Sequence, residues 1–218
     1  MKKTNNLVKF GEDVEGYSIP VLNEREIRAA AGILFAFMLI SLMFILFQNN
    51  FLLIKYVLIV FLTDLIIRVF INPKYSPTLI IGRLIVSRQT PEYVGAAQKK
   101  FAWKIGISIA SLMFILLVIL NSYSIFTGLS CLVCLIFLFF ESAFGICLGC
   151  IAYDWFYKNK AQHCPGEVCD VKKKQEIQKI SLLQVFVLIG LVACIILMII
   201  SLKDQLSETP RSLWKIFK

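Results

Sequence analysis

Cys147-Leu-Gly-Cys150 sets two cysteines three positions apart, a spacing that turns both sulfurs toward one face of a helix. Such a pair can cycle between dithiol and disulfide, carry sulfane sulfur or hold a soft metal ion, because the thiolate is both nucleophile and ligand. Glu141 precedes Cys147 by six residues inside an apolar run. On one continuous helix that is less than about two turns, near enough for a carboxylate to serve the thiols as proton donor and acceptor. Cys131-Leu-Val-Cys134 repeats the spacing, although a buried free cysteine also packs simply as a small hydrophobe. His163-Cys164 and Cys169 follow, and together with Cys147 and Cys150 they offer sulfur and imidazole ligands of the kind zinc or copper(I) takes. The spacing from Cys164 to Cys169 is not that of a standard zinc knuckle, and Cys194 stands alone. Asp64 and Arg68, four apart, share a helix face. They read either as a structural ion pair or as part of a substrate or proton path. The chain has no Gly-rich phosphate loop and no Ser/His/Asp arrangement, and it contains one histidine.

The elements that must position these residues are membrane helices. Of the 218 residues, 58% are hydrophobic and 17% charged, and the mean hydropathy is +0.77, well outside the balance of soluble domains. Charge-free stretches run over 29–54, 105–140 and 180–202. Each satisfies the requirement of about 20 apolar residues for one span. Asn121-Ser-Tyr-Ser124 divides the middle stretch into two spans, and the segment 51–70 adds another that carries Lys55, Asp64 and Arg68 before Asn72-Pro73 stops it. Five helices are therefore expected. The fold class is all-α: a polytopic membrane protein with an antiparallel four-helix transmembrane bundle, a fifth C-terminal transmembrane helix and a short amphipathic interfacial helix over 78–87. A cleavable signal peptide is not expected, since the first apolar run begins only after a polar segment.

The net charge of +9 does not point to nucleic acid, because the basic residues alternate between loops as in positive-inside topologies. Lys and Arg crowd the N-terminal segment, the loop after helix 2 and the loop after helix 4, and are missing from the turns 48–50 and 121–124. The expected arrangement has the N-terminus in the cytoplasm. Four sections follow: an N-terminal segment 1–28, a four-helix domain 29–155, a Cys/Lys-rich linker 156–179, and a fifth helix with its tail over 180–218. A rise of about 1.5 Å per residue puts Asp64 and Glu141 at similar depth, about 20 Å and 22 Å from the outer face. Ionisable groups at such depth mark functional sites by default, so Asp64, Arg68 and Glu141 are expected to form one polar cluster. Cys147 and Cys150 lie near the cytoplasmic boundary, where a lasting structural disulfide is not expected.

Three stretches then carry a family resemblance: Asn72-Pro73-Lys74-Tyr75-Ser76-Pro77, Gln98-Lys-Lys-Phe101-Ala102 with Ile105-Gly106, and Glu141 with Phe144-Gly145-Ile-Cys147-Leu-Gly149-Cys150. Val21-Leu-Asn-Glu24 with Arg28 is similar to the family's opening. The chain resembles, over about residues 20 to 155, a bacterial membrane family known as domain of unknown function four-three-nine-five. The resemblance implies a bacterial inner-membrane location and singles out Glu141, Cys147 and Cys150, without supplying an activity.

Thiol-based redox or sulfur handling accounts best for these residues, with a thioredoxin-like or rhodanese-like protein as partner and a quinone or soft metal ion as cofactor. The alternative is an oligomeric transporter or channel for a small anion or sulfur compound, since four or five helices are few for a monomeric one. A structural or metal-binding membrane protein is the second alternative. The lipid bilayer is a partner in all three, and a homo-oligomer is compatible with each.

Overall fold

A computed structural model describes residues 10–15, 17, 19–157, 180–209 and 211–212. A short strand β1 (Val21–Asn23) leads directly into α1 (Glu24–Gln48), which starts there because the Asn23 side chain accepts the Arg25 amide and Glu24 and Glu26 face the positive end of the helix dipole. Asn49, in the left-handed conformation at φ 52°, ends α1 and turns the chain into α2 (Leu52–Ile66). A wider π turn prolongs α2 through Ile67–Ile71 until Asn72-Pro73 stops it, as expected from the proline. Ser76 caps α3 (Pro77–Ile85) by accepting the Leu79 amide. The strand β2 (Tyr93–Gly95) pairs antiparallel with β1, Leu22 opposite Val94, and leads into α4 (Ala96–Phe114), prolonged by a π turn over Ile115–Ile119.

At the far end β3 (Ser122–Tyr123) precedes α5 (Ile125–Phe139), which begins with a reciprocal capping box between Ser124 and Thr127. A third π turn covers Phe140–Phe144, and α6 (Leu148–Tyr157) follows after a break. The last described elements are α7 (Leu182–Ser201), α8 (Lys203–Ser207) and β4 (Arg211–Ser212), the last pairing parallel with β3.

Among the described residues four stretches are long and apolar enough to cross a membrane: Glu24–Gln48, Ala96–Ile119, Ile125–Phe144 and Leu182–Ser201. Helix α2 with its π turn is of similar length but carries Lys55, Asp64 and Arg68. It contacts α1 on one side and α4 on the other, and α5 closes the ring against both α1 and α4. The enclosed core holds Leu34, Met38, Leu58, Leu65, Ala110, Met113 and Leu135. Phe37, Phe44, Leu129 and Leu132 point outward and are exposed, the inverse of a soluble bundle and the pattern that lipid demands.

Helix α7 is almost wholly exposed along its apolar length, so it reads as an appendage, yet both ends are tied down. The Gln184 amide donates to the Lys74 carbonyl at 2.8 Å. At the opposite end the buried Lys55 ammonium donates to Asn121 Oδ1 at 2.8 Å and to the Glu208 carbonyl at 2.7 Å. Helix α7 therefore runs from the end of the molecule holding Lys74 to the end holding Asn121.

Three boundaries differ from the sequence expectation, two of them for one reason. Helices α1 and α4 start at Glu24 and Ala96, several residues before their charge-free stretches begin. Their first turns hold charged side chains that hydropathy counts as loop but that the fold pairs. The helix expected to carry both Glu141 and the cysteine pair is interrupted at Gly145, so the two lie on separate elements.

Candidate functional site

The polar residues of the basic end fall into three buried networks. In the first, Asp64 and Arg68 form the expected i,i+4 pair, with Arg68 Nε donating to Asp64 Oδ2 at 2.7 Å. The same carboxylate accepts from Ser76 Oγ at 2.6 Å, Thr78 N at 3.0 Å and Thr78 Oγ1 at 2.8 Å. Arg68 Nη2 donates to Thr78 Oγ1 at 2.6 Å, and the guanidinium lies 5.0 Å from the centre of the Trp103 ring. Ser76 and Thr78 open α3, so this network clamps α3 to the end of α2.

In the second, the Asn23 amide and Arg83 Nε and Nη2 all donate to Glu26, at 3.0 to 3.1 Å. It fastens α3 to α1 where Gly82 removes the bulk: a Cβ there would lie 2.6 Å from the Glu26 carbonyl oxygen. At the rim, burial first and then neighbouring Tyr17, Glu12 and Glu26 push the Tyr93 phenol up to about 12, so it stays neutral at any ordinary pH.

The third network overturns the expected cluster. Glu141 pairs with Lys99, not with Asp64 and Arg68. Lys99 is fully buried and also holds Glu24, with Nζ 3.0 Å from Oε1 and 2.9 Å from Oε2. One ammonium thus sits between carboxylates from α1 and from the π turn after α5. A lysine read from sequence as a loop charge is the central cation of the site.

The cysteine pair is set by the break that follows. The Phe140–Phe144 turn ends at Gly145, whose φ of +68° is the left-handed conformation that glycine accepts without strain. A Cβ there would also lie 3.1 Å from the Arg28 guanidinium. The chain turns, and Cys147 stands immediately before α6, its Sγ accepting the Cys150 amide at 3.3 Å. Its sulfur therefore occupies the capping position of a helix N-terminus, where exposed amides and the helix dipole stabilise a negative charge.

Cys147 and Cys150 are joined as a disulfide, with Cα atoms 5.1 Å apart, one of the two states between which the sequence reading has them cycle. Sulfurs bonded to each other are not thiolate ligands, so the proposed metal set could draw on them only after reduction. His163, Cys164 and Cys169, the remainder of that set, lie outside the described residues, and among the described residues no group of three or more His, Cys, Asp or Glu side chains is placed to hold a metal.

Helix α6 rests on α4 through Gly149, where a Cβ would lie 2.5 Å from Ala102 Cβ and 2.8 Å from Ala102 Cα. Gly149→Ala is expected to cost about 1–3 kcal/mol by overpacking. Thermal unfolding in detergent measures it, and an Ala102→Gly background, which removes the Cβ contact but keeps the Cα one, should recover part of the cost. An undiminished cost there means that the Ala102 contact is not its source.

A cavity of about 70 Å³ lies between these elements. Its wall includes Arg68, Trp103, Cys134, Glu141, Cys147 and Gly149, and apolar side chains from α1, α2, α4 and α5 complete it. Arg68 and Glu141 thus share a cavity although they belong to different hydrogen-bond networks. Cys131 and Cys134 are buried free thiols, as the packing reading has it, but Cys134 opens on the cavity.

This is an all-α membrane protein in which a cysteine pair at the start of a short helix faces a cavity walled in part by an ion-paired glutamate. Residues of the stretches singled out from sequence meet in the networks described above: Glu24 with Lys99, Ser76 with Asp64, and Ala102 against Gly149. Residues 22–158 match the family described as Domain of unknown function (DUF4395), and the chain belongs to that family. No curated protein and no solved structure matches the chain.

Sequence reasoning missed Lys99, Glu24, Glu26, Arg83 and Trp103 as parts of this assembly. The available signal was Lys99 itself, which stands four residues before Trp103 in a stretch with helical periodicity rather than in a loop.

Proposed function

We propose that this protein performs thiol–disulfide or sulfane-sulfur exchange at Cys147 and Cys150, with Glu141 moving protons. The observation that carries this reading is the position of Cys147: its sulfur caps α6, accepts the Cys150 amide and faces the cavity that Glu141 also lines. A helix N-terminus favours the thiolate, which is the species that attacks and leaves in exchange. The Lys99 ammonium pairs with the Glu141 carboxylate and holds it beside the cavity. Positive-inside topology puts the basic end, and the pair with it, at the cytoplasmic face of a bacterial inner membrane. A disulfide in a reducing compartment is a working one rather than a structural one, which suits a thioredoxin-like or rhodanese-like partner.

The test is maleimide alkylation of folded protein with and without a mild dithiol reductant, followed by peptide mapping. Cys147 and Cys150 should be unlabelled before reduction and both labelled after it, without denaturant. Labelling that requires denaturation as well as reduction overturns the proposal. The cavity between Arg68 and Glu141 also favours a second reading, a path for a small anion or sulfur compound. Uptake into liposomes that is lost in Glu141→Gln and retained in Cys147→Ser would support transport over exchange.

A further inference from the structure

We infer that Cys134, backed by Cys131, is an internal dithiol that exchanges with the Cys147–Cys150 disulfide across the shared cavity; this rests on the exchange reading above. Measured along one continuous helix, Cys134 and Cys147 would be about 20 Å apart, too far to react. The break at Gly145 ends that single helix: Gly149 packs on Ala102, and Cys147 lines the same cavity as Cys134. One residue of each pair lines that cavity: Cys134 and not Cys131, Cys147 and not Cys150. The structure holds one pair oxidised and the other as free thiols, the composition required of a single two-electron exchange.

The step balances without an outside reagent. Cys134 gives its proton to the Glu141 carboxylate in the cavity wall and attacks Cys147 Sγ; the Cys134–Cys147 bond forms as the Cys147–Cys150 bond breaks. Cys150 leaves as thiolate and takes up a proton. Cys131 then attacks Cys134 as a turn of α5 opens, since a helix holds Cβ atoms three apart about 5–6 Å from each other; the Cys131–Cys134 disulfide forms, and Cys147 leaves as thiolate and takes up the proton that Cys131 loses. Two electrons and two protons have passed from one pair to the other. The residues 145–147, which lie outside both helices, are the part of the chain that adjusts to bring the sulfurs together.

The choice of sulfur is the testable content. In Cys131→Ser/Cys150→Ser protein, mild oxidation in lipid should give a Cys134–Cys147 disulfide detectable by peptide mapping. The complementary Cys134→Ser/Cys147→Ser protein, which keeps Cys131 and Cys150, should give at least ten-fold less intramolecular cross-link. No cross-link in the first variant, or equal yields in both, overturns the inference. Wild-type protein poised at intermediate thiol–disulfide ratios should also divide its single disulfide between the two pairs. A disulfide that opens and closes at Cys147–Cys150 while Cys131 and Cys134 never oxidise defeats this inference and leaves the exchange reading standing. A Cys147–Cys150 pair that stays inert in folded protein defeats both.

Discussion

Lys99→Met is expected to destabilise the folded protein by about 3–5 kcal/mol, the cost of leaving a buried charge without its partner. Lys99 is fully buried, and its ammonium is held by Glu24 from α1 and by Glu141 from the turn after α5. Removing it leaves two carboxylates, each mostly buried, facing one another. Lys99→Arg keeps the charge but not the compact ammonium, and should cost less. The check is thermal or denaturant unfolding in detergent, with one further variant. Replacing Glu24 and Glu141 by glutamine in the Lys99→Met background removes the stranded charges and should recover most of the loss. A loss below about 1 kcal/mol for Lys99→Met would place the lysine in contact with water, as for an ordinary surface pair, and would sink this account of the site.

Asp64→Ala should cost a similar amount, about 3–5 kcal/mol, for a different arrangement. Asp64 accepts from Arg68, Ser76 and the amide and hydroxyl of Thr78, so its removal strands a guanidinium and undoes the start of α3. Asp64→Asn keeps one carbonyl oxygen for Ser76 and the Thr78 amide and should fall between wild type and alanine. The double variant Asp64→Leu/Arg68→Leu should be more stable than Asp64→Ala, because an apolar pair leaves no charge buried alone. Comparable loss in the double variant would mean that the network positions α3 in a way that packing cannot replace. The two experiments also divide labour from scaffold: Asp64→Asn should leave maleimide labelling of reduced Cys147 near wild type, whereas Glu141→Gln should slow it.

The structural role of Asp64 was legible because its partner is local. A carboxylate and a guanidinium four apart on an apolar helix have few other ways to meet the demands of the bilayer, and spacing alone names the pair. Glu141 was legible as an anomaly but not as a pair, since Lys99 lies 42 residues away and only the packing of α4 against α5 brings them together. Depth arithmetic set Glu141 beside Asp64, whereas its ion-pair partner is Lys99. Depth along the membrane normal says nothing about direction around the bundle.

Composition and hydropathy by themselves determined that the chain is an all-α membrane protein, because burying apolar helices in lipid needs no knowledge of which helix touches which. Spacing set the cysteine pair close to Glu141 in one short stretch, and Cys147 and Glu141 line one cavity. Tertiary structure alone decided how. A glycine in the left-handed conformation breaks the helix between them and places Cys147 at a helix start, in the wall of the cavity that Cys134 also lines. Spacing rules assume a continuous helix, and at Gly145 that assumption ends. The buried lysine was decided there too, because an ion pair between distant elements depends on their packing, which no local pattern encodes.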